Sequence, residues 1–208
     1  MPYVGNDIVD LKNPDNMKSI LDSRFRKKIL TAAEIEFVQS SKNPVQTLWS
    51  FWTCKETAYK IRKKHCTDIS FLPGRWEVCL APPGKRYTDG EIAVSASQKV
   101  YLRLFFNDDY IHCIGTDEFA MRGNIICGVA PMPEPKDGNG HEASSYVRSI
   151  VAQKLGEFLS VNPADIEIKR KKVNGELQPP RIATGVARSG IDISMSHDGR
   201  FVAYAFLS

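Results

Sequence analysis

Apolar residues recur along this chain in two periods. Between Arg75 and Thr116 four runs have strand character: Trp76 to Leu80, Ile92 to Ser97, Val100 to Phe106 and Tyr110 to Gly115. Turn-forming breaks separate them at Pro82-Pro83-Gly84, Ser97-Gln98-Lys99 and Asn107-Asp108-Asp109, which predicts an antiparallel meander. Upstream, Tyr3 to Val9 reads as a short strand ended by Asn13-Pro14-Asp15, with a helix after it. Ser23 to Leu30 is a basic helical stretch, Thr31 to Glu34 has the form of a capping box opening a helix through Val38, and Trp49 to Arg62 is a further helix.

From Pro131 to Gly140 prolines and glycines rule out a helix or a central strand and predict a linker. Beyond it, Tyr146, Val147, Ile150, Val151, Leu155, Phe158 and Leu159 fall on one helical face. Strands are predicted at Ile166 to Ile168 and Ile191 to Ser196. Asp198-Gly199 between two alternating runs signals a hairpin, with His197 at the mouth of its turn and Phe201 to Leu207 returning. The chain thus divides into residues 1–128, a linker 129–142 and residues 143–208, with no internal repeat visible in the letters.

The helix around Trp49 carries the most chemistry. Residues four apart lie over one another, so Leu48, Trp52, Glu56 and Lys60 form one stripe with Lys55 beside it. A carboxylate edged by aromatic rings is either a salt-bridged core residue or a site, and the Glu56 to Lys60 spacing does not decide which.

A chain of 208 residues, 42% hydrophobic, can bury a substantial core as one domain or two small halves. Its net charge of +4 favours an anionic small molecule or acidic partner over a dedicated nucleic-acid binder. The absence of a long apolar run or a secretory signal leads to the expectation of a cytoplasmic protein. Five cysteines without Cys-x-x-Cys spacing suggest neither a disulfide framework nor a zinc site, and are expected to be reduced and mostly buried. His65, His112 and His141 read as ordinary surface residues.

Three segments acquire meaning together: Gly5-Asn6-Asp7; Trp52-Thr53-Cys54-Lys55-Glu56-Thr57-Ala58-Tyr59-Lys60; and Ser194-Met195-Ser196-His197. In this order they resemble the signatures of the 4'-phosphopantetheinyl transferase superfamily. That resemblance implies an α+β fold of two similar halves in a pseudo-twofold arrangement within a monomer. It also implies transfer of 4'-phosphopantetheine from coenzyme A to a serine of an acyl or peptidyl carrier protein. Magnesium, with manganese as an alternative, would be held by Asp7 and Glu56. Lys60 would face the developing negative charge, Glu56 would remove the serine proton directly or through water, and Ser196, His197, Lys55 and Lys60 would contact coenzyme A. Lys55 could instead pair with a carboxylate. Arg24, Arg26, Lys27 and Lys28 lie on the helix that in this family faces the acidic carrier, and Lys169 to Lys172 grip a 3'-phosphate or simply solvate an edge strand.

Several positions depart from the family pattern. Surfactin-type members carry Ser-x-Ser-His in their first half, whereas here it comes last, as in a fused version of the smaller holo-acyl-carrier-protein synthases. Val9 stands where an acidic ligand is usual, so water or Asp10 would complete the metal shell. Ile61-Arg62-Lys63-Lys64 replaces glycines, and Gly175-Glu176-Leu177, followed by Pro179 and Pro180, replaces Gly-Lys-Pro. Two alternatives remain open: a non-catalytic coenzyme A or carrier-protein binding module of the same fold, and a basic RNA binder using Trp76, Tyr87 and Tyr101.

Overall fold

The computed structural model describes residues 1–82, 84–95, 97–133, 141–173, 175–183 and 190–208. Strand β1 (Val4–Asp10) leads through α1 (Pro14–Leu21), α2 (Ser23–Ile29) and α3 (Ala32–Ser40) into the long α4 (Pro44–His65). Each start is encoded locally. Asn13 accepts from Asp15 N with Pro14 in the first turn, so the predicted strand break also caps a helix. Thr31 and Glu34 form the predicted capping box. α4 begins ahead of the predicted Trp49 because Asn43 caps it and Pro44 fits its first turn, and Arg62, Lys63, Lys64 and His65 place positive charge at its C-terminal end.

The meander follows as β2 (Val78–Leu80), β3 (Tyr87–Ser95), β4 (Gln98–Phe106) and β5 (Tyr110–Thr116). With β1 these form a five-stranded antiparallel sheet of order β1-β5-β4-β3-β2. Next come β6 (Ile126–Pro131), α5 (His141–Leu159), the short strands β7 (Ile168–Lys169), β8 (Lys172–Val173), β9 (Glu176–Leu177) and β10 (Arg181–Ile182), and the hairpin β11 (Asp192–Asp198) with β12 (Phe201–Leu207). β11, β12 and β6 make a three-stranded antiparallel sheet in that order. The hairpin turn is shifted by one residue from the Asp198-Gly199 signal. Asp198 pairs with Phe201, so Gly199, at φ +49°, and Arg200 form the turn.

The fold is α+β, and its two halves repeat one plan. A strand, a long helix and a hairpin follow in sequence, and the last hairpin strand pairs with the first strand: β1-β5-β4 around α4, β6-β12-β11 around α5. The boundary expected at residue 128 therefore falls inside β6. Small residues and Gly128 hide this strand's apolar signal, yet it pairs with β12 from Ile126 to Pro131 and belongs to the second half. Half of the expected linker 129–142, residues 134–140, lies outside the described residues.

One core lies between α4 and the larger sheet, around Trp49, Phe51, Leu102 and Ile111, and another under α5, around Val147, Val151, Leu155 and Phe206. Between the sheets, β1 runs beside β11 in the same direction, and side chains of β11 satisfy the backbone of β1. Val4 N donates to Asp192 Oδ2 at 2.7 Å, Asn6 N to Ser194 Oγ at 2.9 Å and Asp10 N to Asp198 Oδ2 at 2.8 Å. Alternate residues of β11 thus cap a sheet edge whose N–H groups would otherwise be orphaned by burial. No described helix is long and apolar enough to cross a membrane.

Candidate active site

Close packing of α4 on β1 creates the site. A Cβ on Gly5 would lie 2.4 Å from Thr57 O and 2.9 Å from Ile61 Cγ1, so only glycine lets the helix approach this closely. Two residues on, Asp7 projects from the same face of β1 toward α4. Lys60 Nζ donates to Asp7 Oδ1 and to Asn6 O, both at 2.8 Å. Glu56, one helical turn before Lys60, lines a cleft of about 330 Å³ with Lys60, Lys63, Arg170, Glu176 and Met195. An adjoining cleft of about 230 Å³ brings Asp7 and Lys60 together with Ser196, His197 and Arg170. Residues from the start, middle and end of the chain thus meet in one trough.

The electrostatics are those of crowded, partly dehydrated charges. Burial, and then the charge of Asp7, push the Glu56 carboxyl up to about 7. Burial raises Asp7 as well, against the opposing pull of Lys60. His197 is moved down, chiefly by desolvation and then by Lys60, which favours the neutral imidazole. Arg170 is lowered by burial and by the neighbouring Arg148, whose Nε is buried with no hydrogen-bond partner among the described residues. Arg170 itself lines both clefts and adds positive charge to them.

Not every expected site residue reaches the trough. Lys55 is fully buried on another face of α4, donating to Glu34 and to Ile29 O at 2.8 Å, so the expected coenzyme A contact is corrected to a structural ion pair. Ser196 lines the smaller cleft, but its hydroxyl donates to Asn6 Oδ1 in the seam between the halves. Asp10 cannot complete a metal shell with Asp7. It extends from the opposite face of β1, where Arg200 grips it through Nε at 2.9 Å and Nη2 at 2.7 Å. His112 is a buried core residue rather than a surface one, its ring stacked on Phe105. The five cysteines are free, but only Cys54 and Cys113 are buried, while Cys66 and Cys79 are exposed.

Sequence reasoning missed Lys63, Lys64 and Arg148. The first two continue the Glu56 and Lys60 stripe by one helical turn, a signal masked by treating the segment only as lost glycines. Lys64 joins the halves, donating to Val4 O at 2.6 Å, to Asp192 Oδ2 at 2.6 Å and to Ile193 O at 2.8 Å.

A helix clamped through glycine onto a sheet edge brings two carboxylates and a lysine together at the contact. The profile of the 4'-phosphopantetheinyl transferase superfamily matches residues 3–114, over half of the chain, and the chain belongs to that superfamily. No curated protein sequence matches significantly. Among solved structures, a holo-(acyl-carrier-protein) synthase from Bacillus anthracis str. Ames, in complex with CoA (3',5'-ADP), is similar at 21% identity. The match covers 55% of this chain and 93% of that one, with a TM-score of 0.42.

Proposed function

We propose that this protein transfers the 4'-phosphopantetheine group of coenzyme A to a serine of an acyl or peptidyl carrier protein, releasing adenosine 3',5'-bisphosphate. The observation that carries this reading is the meeting of Asp7, Glu56, Lys60 and His197 in adjoining clefts of a superfamily member.

Among the described residues no group of three or more His, Cys, Asp or Glu side chains is arranged around a metal position. Two carboxylates suffice for magnesium, which completes its octahedron with phosphate and water. Asp7 and Glu56 fit that donor set, because both carboxyls are raised by burial and Glu56 also by its neighbour, a repulsion that a cation relieves. When bound there, the ion would neutralise charge on the diphosphate.

The chain's own groups supply the rest. Lys60, fixed by Asn6 O and Asp7, directs positive charge at the leaving phosphate, and Arg170, which lines both clefts, offers a second phosphate position. His197 at the rim of the smaller cleft contacts phosphate from the second half. Glu56, at the cleft wall, accepts the proton of the serine hydroxyl. The serine Oγ to phosphorus bond forms as the bond from phosphorus to the bridging diphosphate oxygen breaks, and adenosine 3',5'-bisphosphate carries that oxygen away.

Mass spectrometry of apo carrier proteins incubated with this protein, coenzyme A and magnesium tests the proposal. A phosphopantetheine-sized gain that chelation abolishes is expected. No gain across fatty-acid, polyketide and peptide carriers, with either magnesium or manganese, leaves a binding module as the better description.

A further inference from the structure

The trough continues past Glu56 into a cleft of about 870 Å³ that shares Lys63, Lys64 and Arg170 with the first. Lys64 is committed to the seam between the halves. Lys63 is different. Its side chain keeps only 13% exposure, yet its ion-pair partner is Glu176, 67% exposed, at 2.8 Å from Oε2 to Nζ. Glu176 stands on β9, which pairs with β8 through Lys172 with Leu177 and Val173 with Glu176. Tyr59 and Asp68 also add to the field at Lys63, but the hydrogen bond to Glu176 is the largest influence on it. The most accessible carboxylate of the trough therefore covers a largely sheltered lysine that lines the same cleft as Glu56 and Arg170, where a diphosphate would pass.

We propose that Glu176 is a displaceable counter-ion: it neutralises Lys63 in the free protein, and the phosphates of an organic polyphosphate of the coenzyme A class take Lys63 over as they enter. This rests on the proposed function for the ligand's class, but its core, an anion competing with Glu176 for Lys63, is independent of catalysis. Surface-accessible pairs of this kind are weak, so an incoming phosphate with more negative charge can displace the carboxylate. Glu176 thereby lowers apparent affinity and excludes weakly charged ligands.

The test is calorimetric titration of the full chain with coenzyme A and with 3'-dephospho-coenzyme A, beside transfer assays on the same preparations. Glu176→Gln is expected to tighten coenzyme A binding about three- to fivefold by removing the competitor. Lys63→Met is expected to weaken it about tenfold or more, as for loss of a charge-assisted hydrogen bond. In the Lys63→Met background Glu176→Gln should then have no further effect. A Lys63→Met penalty that persists with the dephospho ligand assigns the contact to the diphosphate, and one that vanishes assigns it to the 3'-phosphate. Unchanged or weaker binding by Glu176→Gln in a protein of unaltered melting temperature overturns the proposal, as does failure of every variant to bind either ligand. Loss of carrier modification with these binding effects intact would refute the transferase reading alone.

Discussion

Asp7 and Lys60 form an ion pair of 2.8 Å in which the carboxylate is 12% and the lysine 28% exposed, at the point where α4 crosses the edge strand of the larger sheet. Among the described residues the second Asp7 oxygen has no ion-pair partner, and Asp7 and Glu56 repel each other. A divalent cation should therefore stabilise the fold even without substrates. Magnesium at millimolar concentration is expected to raise the melting temperature of the wild type and not of Asp7→Asn, and Asp7→Asn should lose transfer activity by at least about a hundredfold, the scale of removing one preorganised electrostatic group. An equal thermal shift in both proteins would remove Asp7 from the metal site.

Glu56 gives a prediction with opposite signs for activity and stability. Its carboxyl sits at about 7 in the folded chain against 4.5 for an unperturbed group. The folded state holds a proton that the unfolded state releases in this window, so the contribution to stability is fully present below 4.5 and is lost as pH rises through about 7. Glu56→Gln should abolish transfer yet raise stability at pH 8, by on the order of 1–3 kcal/mol for a half-buried group. Magnesium bound at Glu56 lowers this carboxyl again, so in the wild type at saturating magnesium the acid limb of transfer should lie below pH 7. Urea denaturation at pH 5 and pH 8 beside a pH–rate profile checks both signs. A variant less stable than wild type at pH 8 would contradict the assigned strain.

What could be read in the letters was what local rules write: the capping box at Thr31, the meander, and the hairpin ahead of Phe201. The three signatures also named the residues that meet at the trough, although no periodicity placed Asp7 against Glu56. That approach depends on Gly5, where a Cβ would collide with Thr57 O, and on its ladder partner Gly115, where one would meet Leu102 Cδ2 at 2.8 Å and crowd Thr57 Cγ2 at 3.2 Å. β6 escaped notice because glycine and alanine carry little hydrophobic pattern, and its pairing with β12 spans a long sequence separation. Lys55 was misplaced because helical spacing says which residues are neighbours but not which face is inside. Glu34, arriving from α3, together with Ile29 O makes burial of an ammonium tolerable.

That pair has a measurable consequence. Glu34 also accepts from Thr31 N at 2.8 Å and from Val78 N at 3.0 Å, so it ties α3, α4 and β2 together. Lys55→Met leaves this buried carboxylate without its counter-charge and is expected to cost about 3–5 kcal/mol. Chemical denaturation measures the loss, while the Michaelis constant for coenzyme A, taken on folded protein at low temperature, should stay unchanged. A raised constant with unaltered stability would return Lys55 to the ligand site.

His112 makes the fold acid-sensitive. Desolvation, and then Lys60, move its imidazole from 6.5 down to about 3, and Nε2 has no hydrogen-bond partner among the described residues. A depressed base contributes stability that is whole above the unfolded value near 6.5 and is lost as pH falls toward 3. The slope approaches about 1.4 kcal/mol per pH unit within that window. His112→Phe keeps an aromatic ring against Phe105 and should flatten this slope between pH 6.5 and 4. Denaturation midpoints at three pH values decide it, since an unchanged slope would assign acid sensitivity to other groups.

Arg24, Lys27 and Lys28 are exposed on α2, and Arg24, 95% exposed, meets only Asp22 at 4.0 Å. Cations held this loosely add little to the fold and remain free to meet an acidic partner. Reversing Arg24 and Lys28 to glutamate should therefore leave the melting temperature within about 1–2 °C of wild type and raise the Michaelis constant for an acidic carrier protein, without altering that for coenzyme A. The effect should shrink as salt rises, because exposed charges are screened over about 8 Å at physiological ionic strength. His197→Ala provides the contrast: its ring lines the cleft with Asp7 and Lys60, so the loss should fall on coenzyme A and persist in salt. Steady-state kinetics with each substrate varied in turn at two salt concentrations separates the two ends of the site. Carrier kinetics unchanged by the double reversal at low salt would make α2 an ordinary solvated helix and move the docking surface elsewhere.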